Sequence, residues 1–555
     1  MKALAPLAAL LLSVTAQPVY AQSSAAPTPA PAPAPVPPAR PKLLIAISMD
    51  QFSSELFNEY RPTFTGGLKR LSDGVVFPAG YQGHAATETC PGHSTLLTGS
   101  FPARTGIVAN NWYDFSVGRE DKRVYCAEDE SLAESNSRKY TASPHHLMVD
   151  TLGEYMVRAN PATRNFAVSG KDRAALMMGG KTVQQAYWWS GDKFVTLAGR
   201  TVVPTVVEAN KAVAQRIAAG NPAMAVTGYC QTKDRNFAAG KVNLGTHHFE
   251  RPAGDTKLFR ASPELDAATL ALAMAMVRDY KLGQGAATDM LSISLSATDY
   301  VGHALGNQGV EMCLQLGSVD RDLGAFFSWL DTQKIPYAVV LSADHGGLDA
   351  PERAQAQANP AARRNDGSTD PKALSEAVGK ALKIADTKDL LVSDGAFGDF
   401  YVHPRFASQR GKIVAEAVKQ LGRNPDVAAV FTKQQLAAMP IPTGSPETWS
   451  LAERARASFY APRSGDLVIL LKSRVTPIHE PDLGYVATHG SAWDYDRRVP
   501  MLFWYKGIQP FEQPAGVNTA DILPTMAALI GLPIDTSKID GRCLDLDPGA
   551  GTTCR

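Results

Sequence analysis

Apolar positions along this chain gather into unbroken runs rather than alternating with polar ones. Leu43–Ser48, Met290–Leu295, Tyr337–Leu341, Leu467–Leu471 and Met501–Tyr505 are apolar almost throughout. Runs of this kind predict strands buried on both faces, as in a parallel sheet covered by helices. Between them, helical spacing of the apolar residues predicts helices over Ala267–Tyr280, Val310–Leu330, Leu374–Leu382 and Ala520–Ile530. The alternation points to an α/β fold with a doubly wound, mostly parallel sheet and helices on both faces. Three spans interrupt it, at about 111–144, 179–283 and 390–460, and read as segments inserted as a cap over the sheet. Residues 350–371, with Ala-Gln repeats and the polar run from Arg363 to Gly367, read as a solvated loop.

The first 21 residues have a different pattern. Lys2 precedes the apolar run Leu4–Val14, which ends near the small-residue sequence Val19-Tyr20-Ala21. This is the layout of a cleaved signal peptide, because the run is shorter than the roughly 20 apolar residues a bilayer span needs. Residues 22–41 are a Pro/Ala-rich linker expected to be extended. A catalytic domain is expected over 42–545, followed by a short tail at 546–555. With no later membrane span in the sequence, a periplasmic or secreted protein is expected. The six cysteines suit that destination. Their even number permits disulfides without fixing the pairing: Cys543 and Cys554 are close enough to staple the tail, and Cys230 with Cys313 and Cys90 with Cys126 are one way to pair the rest. A formal net charge of +1 argues against a nucleic-acid partner held by bulk electrostatics, so an anionic substrate must be caught locally.

Chemistry-bearing residues fall where the apolar runs stop. Asp50 follows the first run, Asp299 and His303 the second, and Asp344 and His345 the third, while His489 stands in Thr488-His489-Gly490-Ser491. Open α/β sheets bind ligands at the carboxyl ends of their strands, which is an independent reason to group these residues. Three carboxylates and three imidazoles are enough donors for two zinc-like ions, with Gly302 letting the chain turn closely toward one of them. Paired ions roughly 4 Å apart suit in-line phosphoryl transfer. A hydroxyl-rich stretch, Thr87 to Thr95, offers a nucleophile at a helix start, where the dipole favours a phosphoryl anion. Cys90 is the rival within that stretch. A sulfatase-like Cys-x-Pro-x-Arg pattern fails because Pro91 follows directly and Ser94 stands where the Arg would be.

Taken together, Thr89-Cys90-Pro91-Gly92-His93-Ser94-Thr95, Asp299-x-x-Gly-His303, Asp344-His345-Gly346 and His489-Gly490-Ser491 resemble the alkaline phosphatase superfamily. More narrowly, they resemble the PafA-type bacterial alkaline phosphatases, which use a Thr nucleophile, over nearly all of Lys42 to Pro533. The resemblance implies one zinc held by Asp299, His303 and His489, and a second held by Asp50, Asp344 and His345 with Thr89 beside it. It further implies phosphoryl transfer to Thr89 and then to water, with retention at phosphorus. Lys171 and Arg173, two apart after a strand-like stretch, would point the same way in an extended segment. A guanidinium fork plus an ammonium suits the oxygens of a terminal phosphate. In the family these positions, with Asn110, clamp monoesters, and related phosphodiesterases lack the Lys/Arg pair.

The reading is therefore an exported zinc-dependent alkaline phosphatase acting on small-molecule phosphate monoesters, with diesters as a side activity. The alternative is a nucleotide pyrophosphatase/phosphodiesterase of the same superfamily. A reading from another class, an exported zinc- or phosphate-binding protein without turnover, is disfavoured by the open Thr89 segment. The remaining histidines read blandly. His84 and His93 are structural neighbours of the nucleophile, His145-His146 and His247-His248 are exposed loop residues, and His479 lacks the His-Gly-Ser setting of His489.

Overall fold

A computed structural model describes residues 40–132, 135–482 and 484–554. The signal peptide over 1–21 and nearly all of the linker over 22–41 lie outside the described residues. A ten-stranded sheet runs through the molecule in the order Phe511–Glu512, Val75–Tyr81, Arg498–Tyr505, Tyr337–Ser342, Leu43–Met49, Asp289–Leu295, Asn165–Ser169, Gln185–Trp189, Phe194–Val195, with Val517–Asn518 also paired to Val75–Tyr81. Its centre is parallel, from Tyr337–Ser342 through Leu43–Met49 and Asp289–Leu295 to Asn165–Ser169 and Gln185–Trp189.

The unbroken apolar runs follow from burial on both faces. Leu43, Ile45, Ile47 and Met49 pack into one apolar cluster with the helices Pro263–Tyr280 and Val310–Thr332. Leu44 and Ala46 face the other way, toward Leu96, Leu97 and the helix Ile522–Leu529. Strand geometry sends successive side chains to opposite faces, so a strand sandwiched between helix layers must be apolar at every position.

Two of the runs have other settings. Met501–Tyr505 belongs to Arg498–Tyr505, which pairs antiparallel with both of its neighbours. Leu467–Leu471 is not in the central sheet. It lies in a separate antiparallel sheet ordered Leu391–Val392, Gly398–Val402, Leu467–Leu471, Val427–Thr432. An apolar run records burial on two faces, but it does not record which sheet supplies the neighbours. The 350–371 stretch is also not a solvated loop. It forms the helix Pro351–Gln357 and a two-residue strand, Arg363–Arg364, paired to Val475–Thr476. Arg353 is fully buried against Asp349, and Arg364 is tied to Glu352, so charges that look solvent-directed are consumed internally. Within 179–283, Gln185–Trp189 and Phe194–Val195 extend the central sheet, and Pro263–Tyr280 covers one of its faces.

Disulfides join Cys90 to Cys126, Cys230 to Cys313 and Cys543 to Cys554. Among the described residues, no helix is long and apolar enough to cross a membrane.

One buried carboxyl couples this scaffold to the helix Ala297–Leu305, which carries Asp299 and His303. Asp266 accepts from the Ala297 N–H at 3.0 Å and from Gln315 Nε2 at 2.8 Å. Burial pushes its pKa up to about 7. A carboxyl raised in the folded state binds more protons there than in the unfolded chain, so its penalty on stability grows as pH rises from about 4 to about 7. Asp266→Asn should remove that increment. Urea midpoints of the variant, measured from pH 5 to pH 8 at fixed zinc, should fall less with pH than those of the wild type. Parallel profiles would contradict it.

Candidate metal centre and nucleophile

Every residue of the site leaves the sheet at one edge. Asp50 follows Leu43–Met49, and Asp344 follows Tyr337–Ser342 with Ser48 paired to Ser342, so the two carboxylates emerge side by side. Asp299 lies in the first turn of the helix after Asp289–Leu295, and Lys171 lies just past Asn165–Ser169. Val75–Tyr81 runs in the same direction as the parallel strands, which brings Thr89 to the same edge. His489 arrives at that edge from the other side, just before the antiparallel strand Arg498–Tyr505.

The donors converge tightly. Asp50, Asp344 and His345 each offer an atom within 4.8 Å of the others, as do Asp299, His345 and His489. His345 therefore stands at the junction of the two groups, stacked on His489 at 3.6 Å between ring centroids. His303 Nε2 and His489 Nε2 lie 3.3 and 3.4 Å from the same oxygen, Asp299 Oδ1. Asp299 and His303 are one helical turn apart, which puts them on one face. Gly302 serves a purpose other than a turn. It sits inside this helix, and a Cβ there would stand 1.7 Å from Gln51 Oε1.

Tautomers are set from behind. The Nδ1–H of His303, His345 and His489 donates at 2.8 Å in each case to the backbone carbonyl of Ala487, Gly346 and Thr87, respectively. Each ring thus turns a bare Nε2 lone pair toward carboxylates, as ligating histidines do. Burial lowers the pKa of His345 to about 3 and also lowers that of His489, which keeps both rings neutral. His345 Nε2 and Asp50 Oδ1 face each other at 3.6 Å, buried and without a hydrogen bond. Two acceptors left facing one another out of water are costly unless a cation stands between them, and these donors fit a metal ion.

The three carboxylates stand close enough to act on one another's charge. Burial, then the charge of Asp344, pushes Asp50 well above the carboxylate range, with Lys171 opposing. Burial would also raise Asp299 and Asp344, but the Lys171 ammonium beside them helps hold both well below the usual carboxylate range. Lys171 Nζ bridges Asp50 Oδ2 at 2.6 Å and Asp299 Oδ2 at 2.5 Å.

Thr89 opens the fully buried helix Thr89–Thr98. Its first turn presses onto the Asp344 backbone, where a Cβ on Gly92 would stand 2.0 Å from the Asp344 carbonyl oxygen. Arg173 Nη2 donates to Thr89 Oγ1 at 3.4 Å. Lys171 is extended at a helix N-cap, whereas Arg173 lies inside the helix Asp172–Gly179. Their convergence therefore comes from a strand-to-helix turn, not from the shared face of an extended segment. Asn110 accepts the Cys90 N–H on Oδ1 at 2.8 Å, which leaves its amide N–H groups free to donate.

Several residues that position this site carry no signal of their own in the sequence. Gln51, left-handed at φ 67°, donates its side-chain amide to Asp299 Oδ1 at 2.9 Å and its N–H to Asp344 Oδ1 at 3.2 Å. Tyr125 and Tyr140 hydroxyls hold the two oxygens of Asp172 at 2.8 and 2.7 Å, next to Arg173. Glu88, raised by burial to about 7, accepts the Asn110 N–H. Only its place immediately before Thr89 could have drawn notice to it. His93 donates to the Thr89 carbonyl and lies 3.1 Å from Asp344, a supporting position. His84 is buried beside Gln82, and His479 is bonded to the Asn365 carbonyl.

Comparison with known proteins gives the family of the chain. The family model described as type I phosphodiesterase / nucleotide pyrophosphatase matches residues 44–492. Alkaline phosphatase PhoK of Sphingomonas sp. is 55% identical over 552 residues, 99% of both chains. Alkaline phosphatase PhoD of Zymomonas mobilis is 47% identical, over 92% of this chain and 89% of its own. The crystal structure of alkaline phosphatase PafA shares the fold, with a TM-score of 0.78 at 24% identity over 91% of this chain and 98% of that one. The chain belongs to the type I phosphodiesterase / nucleotide pyrophosphatase family and, within it, to the alkaline phosphatases of the PafA type.

Because Gly92 lets the helix that starts at Thr89 meet Asp344, Gly92→Ala should push the two apart. The overpacking should cost about 1–3 kcal/mol. Displacing Thr89 should also lower kcat/KM on the order of 100-fold. Urea unfolding and steady-state kinetics on an aryl phosphate would check both; wild-type values in each would refute the close approach.

Proposed function

We propose that this chain is an exported, zinc-dependent alkaline phosphatase that hydrolyses small phosphate monoesters through a phosphothreonine at Thr89. The observation that carries this reading is the set of three imidazoles, each tied at Nδ1 to a carbonyl and aimed by Nε2 at buried carboxylates, beside a hydroxyl at a helix start. Asp50, Asp344, His345 and Thr89 would hold one zinc, and Asp299, His303 and His489 the other. Bound there, two ions supply positive charge for the entering and leaving oxygens and favour an ionised hydroxyl.

The residues of the chain perform the rest. Thr89 Oγ forms a bond to phosphorus as the ester oxygen departs on the opposite side. Water then attacks the phosphothreonine in line and Thr89 Oγ leaves, so two inversions give retention. Lys171, Arg173 and the Asn110 amide hold the non-bridging oxygens. Buried among carboxylates, Lys171 remains an ammonium, its pKa kept high by Asp299 and Asp50 against the cost of burial. Tyr125 and Tyr140 steady Asp172 and, through it, the turn that presents Arg173. Export is supported by the apolar run before Ala21 and by three disulfides, which persist in oxidising compartments.

Thr89→Ala should lower kcat by roughly three orders of magnitude or more while zinc content, read by elemental analysis, stays near wild type. Retained activity would end the nucleophile assignment. Each charge-assisted hydrogen bond to phosphate accounts for roughly 10- to 100-fold. Lys171→Ala with Arg173→Ala should therefore lower kcat/KM for an aryl monoester at least ~100-fold, and for the bis-aryl diester less than ~10-fold. An equal loss on both substrates, or a wild-type preference for the diester, would favour a phosphodiesterase.

A further inference from the structure

A second group of metal-binding side chains lies outside the catalytic edge, in the 111–144 cap and the turn that follows it. Glu130, His145 and His146 each offer a donor atom within 4.8 Å of the others. Both imidazole Nε2 atoms face one oxygen, Glu130 Oε2, at 2.8 Å from His146 and 3.1 Å from His145. The backbone sets this meeting. Ser143 N–H donates to the Ala127 carbonyl and Asp129 N–H to the Thr141 carbonyl, so the segment carrying Glu130 runs alongside the one leading to the histidines.

His146 is the anchor. It is 3% exposed, and its Nδ1 lies 3.1 Å from the Cys126 carbonyl, to which it donates. That bond leaves the Nε2 lone pair directed at Glu130, and Nε2 is buried without a hydrogen bond. The arrangement repeats, with unrelated residues, the one seen at the catalytic edge: a carbonyl fixes the tautomer and a bare Nε2 meets a carboxylate. His145, by contrast, is 40% exposed at its side chain, which leaves a side of the group open to water.

We propose that Glu130, His145 and His146 form an additional zinc site, distinct from the catalytic one, that acts as a structural staple. Two imidazole nitrogens and one carboxylate oxygen form a donor set for zinc or a neighbouring first-row ion, and a poor one for calcium or magnesium, which prefer oxygen. Donors about 2.0–2.1 Å from a tetrahedral ion stand about 3.3–3.4 Å apart. The two donor distances to Glu130 therefore need to open by only a few tenths of an ångström, with water taking the fourth position. The consequence for the fold lies in what His146 touches. It bonds to Cys126, whose disulfide partner Cys90 follows Thr89. Its carbonyl accepts from Arg463, which also covers Trp112. An ion here would fasten the cap to the start of the nucleophile helix.

The test is zinc uptake by the whole protein, titrated against a chromophoric chelator, in wild type, His145→Ala and Glu130→Gln. His145 is 40% exposed and its ring lies against that of His146, 3.9 Å between centroids, so its removal disturbs chiefly the cluster itself. Wild type should take up one more equivalent than either variant, whatever number the catalytic edge holds. Saturating zinc should also raise the melting temperature of wild type more than that of His145→Ala. Equal uptake by all three proteins would overturn the site and leave the cluster as a hydrogen-bonded ion pair between Glu130 and the imidazoles.

Discussion

Three carboxylates forced together out of water are the constraint that organises this molecule. Asp50, Asp299 and Asp344 are all buried, and the Lys171 ammonium is shared between two of them. A cluster like that repels itself unless its surroundings are fixed in advance. The parallel register puts Asp50 and Asp344 side by side, Asp266 pins the helix carrying Asp299, and Gln51 bonds to two of the three. The unbroken apolar strands are thus the rigid base that lets mutually repelling groups be held at hydrogen-bond distances.

Histidines complete the arrangement by giving up a degree of freedom. An imidazole can present either nitrogen, and the three carbonyl contacts remove that choice before any ligand arrives. His345 has the most constrained position, shared between two donor groups and stacked on His489. The fold, family and supporting geometry agree with one another. On the proposed reading, the same backbone carbonyls that close off Nδ1 determine where the ions sit.

Much of this was legible in the sequence, and for a physical reason. Strands buried on both faces have to be continuously apolar, so Leu43–Met49 and Tyr337–Ser342 announce themselves, and the residues that end them are conspicuous. What was hidden is whatever depends on long-range neighbours. Leu467–Leu471 looks the same as a central strand but pairs in another sheet. Lys171 and Arg173 converge through a helix start rather than through strand alternation. Gln51 and the two tyrosines on Asp172 are ordinary residues whose importance comes only from what stands opposite them. His145 and His146 looked like loop histidines because Glu130, their partner, is no closer to them in meaning than any other acidic residue until the cap folds back.

Lys171 has a consequence for how such a site can diverge. Its ammonium lies between Asp50 and Asp299, within the ring of carboxylates rather than at its rim. On the proposed reading, in which Lys171 also meets the phosphate, substrate preference and ion affinity are drawn from one shared pool of charge. A lineage that discards this lysine to admit a bulkier ester leaves two aspartates less neutralised and alters how tightly they attract a cation. Specificity in this architecture cannot drift at a single position; it has to move together with the electrostatics of the centre it serves.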